Sequence, residues 1–125
     1  MKTHEIDRSE WRETLDSFSR RHDGWLVSIT IESADGAQQF LVRDLPMHGV
    51  AAELHDDDRD EVVIYCGEAA QITHVIRAPS SITIAQTGDG AESSLTIRNA
   101  EGECATVEFR SPMLVTLVDG LIPAL

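Results

Sequence analysis

Five histidines, two cysteines and one run of acids are the residues of this 125-residue chain whose types could do chemistry. Imidazole is the acid–base and metal-binding group of neutral pH, so His4, His22, His48, His55 and His74 come first. Their spacing builds no site. There is no H-x-x-x-H and no C-x-x-C, the spacings that put two metal ligands on one helical face or in one turn. His22 follows Arg20-Arg21 and precedes Gly24-Trp25, while His74 precedes the apolar pair Val75-Ile76. Each reads first as a hydrogen-bonded structural histidine. If a polar site exists, Arg21, His22 and His74 are the candidates for contacting a ligand or partner, with His22 the sharper choice. No catalytic residue, metal ligand or cofactor is assigned.

The run His55-Asp56-Asp57-Asp58-Arg59-Asp60-Glu61 offers oxygen ligands. It lacks the alternating acids, the glycine and the closing bidentate Glu of a calcium loop. Consecutive acids in a hairpin loop point in different directions and repel, so a solvated loop is the expectation. Cys66 and Cys104 fall in predicted strands. They read as buried, reduced thiols rather than low-pKa nucleophiles, with a disulfide between adjacent strands as the alternative. No serine sits in a G-x-S-x-G elbow, and Gly88-Asp89-Gly90 is a turn with no helix after it to hold phosphate. Trp11 and Trp25 could line a pocket, but each shares an apolar stripe and reads as core.

The elements that would position these residues are legible from periodicity. Trp11, Leu15 and Phe18 fall at i, i+4 and i+7 and predict an amphipathic helix over 8–22. Asp7 with Glu10 offers a capping box, Ser9 is the rival cap, and Gly24 is placed to end the helix. Residues 1–6 read as a flexible arm. The period then drops to two, with Trp25, Val27, Ile29 and Ile31 on one face. A two-residue Asp35-Gly36 turn would pair Ile31 with Phe40 and Ile29 with Val42. Pro46 ends that strand, and Val50–Leu54 with Val62–Cys66 forms a second pair. The stretch Gly67–Ala78 is irregular; Ile72, Val75 and Ile76 could form a turn of helix on a sheet edge, stopped by Pro79. Asp89-Gly90 pairs Ile84 with Leu95 and Ile82 with Ile97. A three-residue Ala100-Glu101-Gly102 loop pairs Leu95 with Val107 and Ile97 with Ala105. The tail 111–125 reads as a short helix or turn lying on the sheet.

These readings give a single α+β domain over 1–125, mainly antiparallel β. About seven strands in sequential hairpins over 25–110 form a curled sheet or partly open barrel, with the N-terminal helix packed on it. A domain of this length can bury a core without disulfide or metal staples.

Charge narrows the partners. The net charge is −12, and residues 1–22 contribute nothing to it, their five bases cancelling five acids. Glu53–Glu68 alone holds seven acids against Arg59. Such a chain repels phosphate backbones and anionic lipid, so neither nucleic acid nor membrane is an expected partner. The N-terminus shows no apolar signal region and no run approaches a membrane span, so a cytoplasmic location is expected.

The start W-x3-L-x2-F-S-x2-H-x-G-W, carried by Trp11, Leu15, Phe18, Ser19, His22, Gly24 and Trp25, resembles a family of small bacterial proteins of unknown function. So do His74-Val75-Ile76 with Pro79 and the closing Val118-Asp119-Gly120. The resemblance implies a shared fold over nearly the whole chain and brings no activity with it.

The functional expectation is a non-catalytic protein-interaction or regulatory module. A partner strand would add at Val50–Leu54 or at Gly67–Ala78, or a homodimer would form through a sheet edge. Two other classes stand beside it. One is an enzyme or small-ligand binder built around His22 and His74, which requires both to converge with an acid in one pocket. The other is an acidic decoy for a basic nucleic-acid-binding protein, built on Asp56, Asp57, Asp58 and Asp60.

Overall fold

The computed structural model describes residues 2–55, 59–68, 70–88 and 90–110. In chain order it has β1 (Lys2–Glu5), a 3-10 turn (Arg8–Glu10), α1 (Trp11–Arg21), β2 (Leu26–Glu32), β3 (Gln38–Glu53) and β4 (Glu61–Cys66). There follow β5 (Ile72–Arg77), β6 (Pro79–Gln86), β7 (Glu92–Asn99) and β8 (Cys104–Phe109). All eight strands belong to one open antiparallel sheet in the order β1-β6-β7-β8-β2-β3-β4-β5. This is the mainly antiparallel, curled architecture with one N-terminal helix that the hairpin pattern implies. The tail 111–125, expected as a short helix or turn on the sheet, lies outside the described residues.

Two bends curl the sheet. β3 pairs with β2 up to Pro46 and with β4 from Met47 onward. Pro46 therefore does not end the strand. It sits where β3 changes neighbours, and a residue without an N–H is tolerated at such irregularities. β5 runs into β6 through Ala78, which takes a φ of 50°. The inner faces of the two parts meet: Val50, Val62, Ile64 and Ile76 share one core with Ile29, Ile82, Leu95, Ile97 and Val107.

Helix α1 fills the opening beside the second half of β3. Trp11, Leu15 and Phe18 are buried, as the i, i+4, i+7 stripe requires. Trp11 Nε1 donates to the carbonyl of Ile6 at 2.9 Å. The Ser19 hydroxyl accepts the N–H of Val50 at 2.8 Å and lies 3.0 Å from the Val50 carbonyl. It thereby occupies the side of β3 on which another strand would sit. Val50–Leu54 is therefore no free edge, because β4 covers one side and α1 the other. The expected capping box does not form either. A 3-10 turn intervenes, in which the N–H of Glu10 goes to the carbonyl of Asp7 at 2.8 Å, and neither Asp7 nor Glu10 caps with its side chain. The helix proper is Trp11–Arg21, and Gly24 with φ +83° turns the chain into β2.

Three further expectations are corrected. Residues 1–6 carry β1, paired with β6 from Lys2↔Gln86 to Glu5↔Thr83. Lys2–Glu5 are polar and exposed and gave no inward face to read, while Ile6 after them is buried in the core. Gly67–Ala78 holds strand β5 rather than a turn of helix. The first hairpin turn spans three residues, with the N–H of Ser33 on the carbonyl of Ala37 and Asp35 Oδ1 accepting the Ala37 N–H. Ile29 still faces Val42, but Phe40 faces Thr30 and is 54% exposed. A bulge that leaves Leu41 unpaired reconciles the two registers. The other two hairpins keep the expected pairs, Ile84↔Leu95, Ile82↔Ile97, Leu95↔Val107 and Ile97↔Ala105.

Candidate functional site

The C-terminal turn of α1 places Arg21 and His22 against the turn end of the β6–β7 hairpin. Arg21 Nη2 donates to Glu92 Oε1 at 2.8 Å and Oε2 at 3.0 Å, and its Nε donates to Oε1 at 3.1 Å. Glu92 is buried and Arg21 partly so, and this charge-assisted contact ties the helix to the sheet. His22 is fully buried beside it, ringed by Phe18, Trp25 and Phe109 at centroid distances of 4.4–4.7 Å.

The hydrogen bonds fix the tautomer of His22. Nδ1 lies 2.8 Å from the carbonyl of Phe18, which can only accept, so Nδ1 carries the proton. In the neutral ring Nε2 then presents a lone pair to Glu92 Oε1, 3.4 Å away, and makes no hydrogen bond. A second proton would place a cation between the rings. Burial opposes that and holds the pKa of His22 below the ordinary histidine value; Arg21 acts in the same direction, while the Phe18 carbonyl and Glu92 oppose it. The cluster holds the end of α1 to the sheet, with His22 fully buried inside it.

That arrangement carries a pH prediction. A buried histidine with a lowered pKa binds its proton more readily when unfolded. Its stabilising effect is complete above about pH 6.5 and is lost as pH falls below that toward the folded value. His74, also lowered by burial, acts with the same sign. Unfolding free energy, measured by urea titration, should therefore fall between pH 7.5 and 5.5, with His22 adding at most about 1.4 kcal/mol per pH unit. His22→Phe should flatten that slope, and an unchanged slope would remove His22 from the account.

His74 lies elsewhere. It points inward from β5 into a cavity of about 250 Å³ between that strand and the β7–β8 turn. Glu92 opens β7 and Asn99, which lines the His74 cavity, closes it. Seven residues of strand separate them, roughly 23 Å at about 3.3 Å per residue. The structure thus brings Arg21 and His22 together with Glu92, and leaves His74 at the opposite end. Burial lowers the pKa of His74, with Glu103 opposing.

The wall facing β5 is organised by Asn99. Its Oδ1 accepts the N–H of Glu101 at 3.0 Å and of Glu103 at 2.9 Å, and its Nδ2 donates to Glu103 Oε1 at 2.8 Å. The floor is apolar: Ile31, Ile76, Ile97 and Ala105. Neither Asn99 nor the two glutamates stood out in the sequence. Asn99 shares the inward parity of Leu95 and Ile97, which is the signal that could have found it.

Of the acidic run, residues 56–58 lie outside the described residues. Asp60 is not a solvated loop residue. It is buried, accepts Arg8 Nε at 3.1 Å and the His55 N–H at 2.7 Å, and the Arg8 side chain holds its carboxyl below the usual range. Cys66 and Cys104 are both free and buried, and burial pushes the Cys66 thiol up to about 11, far from a nucleophile. Among the described residues no group of His, Cys, Asp and Glu could hold a metal ion, and no helix is long and apolar enough to cross a membrane.

No curated protein and no solved structure matches the chain. A family model does, over residues 2–117 of the 125, and on that match the chain belongs to DUF5335, a family of unknown function.

Proposed function

We propose that this protein is a non-catalytic interaction module that receives an extended segment of a partner protein on the edge of β5, which no further strand covers among the described residues. The observation that carries the reading is the contrast between the two ends of the sheet. β1 ends it with Lys-Thr-His-Glu, fully exposed and charged, the usual protection of an edge. β5 ends it with Ile-Thr-His-Val-Ile-Arg, rich in β-branched residues and without an acid.

The outward groups of β5 follow from the ladder. The N–H and C=O of Val50 face Ser19, away from β4, so Val50 and Ile64 form a pair without mutual hydrogen bonds. Ile64 therefore turns its groups to β5, where it faces His74. By alternation Thr73, Val75 and Arg77 direct theirs away from β4. Strand addition supplies partners for such groups. A cytoplasmic setting belongs to the same proposal, supported by two unpaired cysteines.

Val75→Pro removes an N–H that β4 does not use, so it blocks the edge while sparing the fold. A partner isolated with the wild-type chain should bind the variant roughly ten- to thirtyfold more weakly, the worth of one or two main-chain hydrogen bonds. Thr3→Lys on β1 should leave binding unchanged. In the complex the amides of Thr73, Val75 and Arg77 should exchange more slowly. Equal binding by Val75→Pro, or unaltered exchange at those amides, would rule out this edge.

A further inference from the structure

Resting on that reading, we propose that the occupant of the β5 edge is a single basic strand of another protein, which sets an aliphatic side chain on the Ile31/Ile97/Ala105 floor and a Lys or Arg against Glu101 and Glu103. The cavity beside β5 decides the size of what enters. Its volume of about 250 Å³ falls below the roughly 300–1,000 Å³ of small-molecule pockets. It holds on the order of eight waters at about 30 Å³ each, room for one or two aliphatic side chains. A backbone lying along β5 projects alternate side chains toward the floor, so one strand fills it without help.

A second copy of the chain fits less well. Its β5 would bring its own β7–β8 turn into the same space, and two chains of net charge −12 repel. The charges around the cavity select the sign of the partner. On the β5 side the exposed Arg77 has Glu61 beside it, with Nε 3.8 Å from Oε2. On the opposite wall Asn99 pins the backbone of Glu101 and Glu103 and leaves one oxygen of Glu103, and the exposed carboxylate of Glu101, to face whatever enters. An entering cation meets two acids on one turn, Glu103 held by Asn99 and Glu101 exposed beside it. An entering anion meets the same acids, and Glu61 stands beside Arg77.

The probes are three terminally blocked peptides of alternating Thr and Val, nine residues long, differing only in carrying two Lys, two Gln or two Glu. Fluorescence anisotropy with the full chain should show the Lys peptide binding roughly five- to tenfold more tightly than the Gln peptide, and the Glu peptide weakest. The Lys advantage should shrink as salt is raised. A chain with Glu101→Gln and Glu103→Gln, which keeps the Asn99 contact, should bind Lys and Gln peptides alike. Val75→Pro should lose all three. Equal binding of all three peptides, abolished by Val75→Pro, overturns the charge inference and leaves strand addition standing. Binding that Val75→Pro does not touch, or none to any peptide, overturns both. A wild-type dimer in sedimentation that Val75→Pro dissociates would make the occupant a second copy and overturn the basic-strand proposal.

Discussion

Glu92→Ala is expected to cost about 2–4 kcal/mol of unfolding free energy, because it removes the carboxylate partner of Arg21 and leaves a void beside the buried His22. For a chain of this size that is a fall in melting temperature of roughly 10 °C. The cost should lie at the lower end of the range for a buried pair, since Arg21 retains some exposure and can turn its guanidinium to solvent. Glu92→Gln keeps an acceptor for Arg21 and should cost only about 1 kcal/mol. The acid response separates these effects from simple loss of packing. Glu92 is one of the groups that favour a charged His22. Without it the folded pKa of His22 drops further, and the stability lost below pH 6.5 grows. Urea titrations at pH 7.5 and pH 5.5 would test this. If the alanine variant stays within about 0.5 kcal/mol of wild type at both, the Arg21–Glu92 pair contributes nothing and does not hold α1 to the sheet.

Arg21 and His22 were legible as a polar helix end, yet the residue that gives them meaning was not. Along β7 the inward positions are Leu95, Ile97 and Asn99, and strict alternation would turn Glu92 to solvent. A bulge between the Ala85↔Ser94 and Gln86↔Glu92 pairs shifts the parity and brings Glu92 inside. No local signal marks that slip. The Asp89-Gly90 reading reached the correct pairs further along, although the turn closes with the N–H of Thr87 on the carbonyl of Ala91.

β5 was misread for a different reason. Ile72, Val75 and Ile76 stand at i, i+3 and i+4, a helical spacing. The true inward set is Ile72, His74 and Ile76, and a histidine in the middle breaks the apolar alternation. The β-branched composition was the better guide. Asp60, by contrast, could have been found. Val62, Ile64 and Cys66 face inward, and the same parity carried back two residues reaches Asp60. The hairpins whose apolar pairs agreed across three strands, β6, β7 and β8, were the part of the fold most fully written in the sequence.

Phe18→Ala should be the most damaging single truncation, at about 3–5 kcal/mol. That is a large share of the roughly 5–15 kcal/mol that holds a domain of ordinary stability together. Phe18 is fully buried, stacks on Phe109 at 5.5 Å and lies 4.5 Å from His22. Its ring is the piece of α1 that packs on β8, through Phe109. Phe18→Leu, which keeps much of the volume, should cost about half as much or less. The two variants also differ in what they do to the histidine. The alanine cavity lies against the imidazole, whose Nε2 and its neighbour Glu92 are polar groups that could bind a water admitted there. Water there would hydrate a charged His22 and weaken the desolvation that lowers its pKa. The acid-dependent part of stability should then shrink in Phe18→Ala even as total stability falls, whereas Phe18→Leu should keep the wild-type slope. Urea midpoints across pH 5.5 to 7.5 give both quantities. A loss of under about 1 kcal/mol for Phe18→Ala would mean that the Phe18 ring does not hold α1 to the sheet. A full loss with an unchanged slope would mean that the cavity collapses dry, and that Trp25 and Phe109 alone keep water from His22.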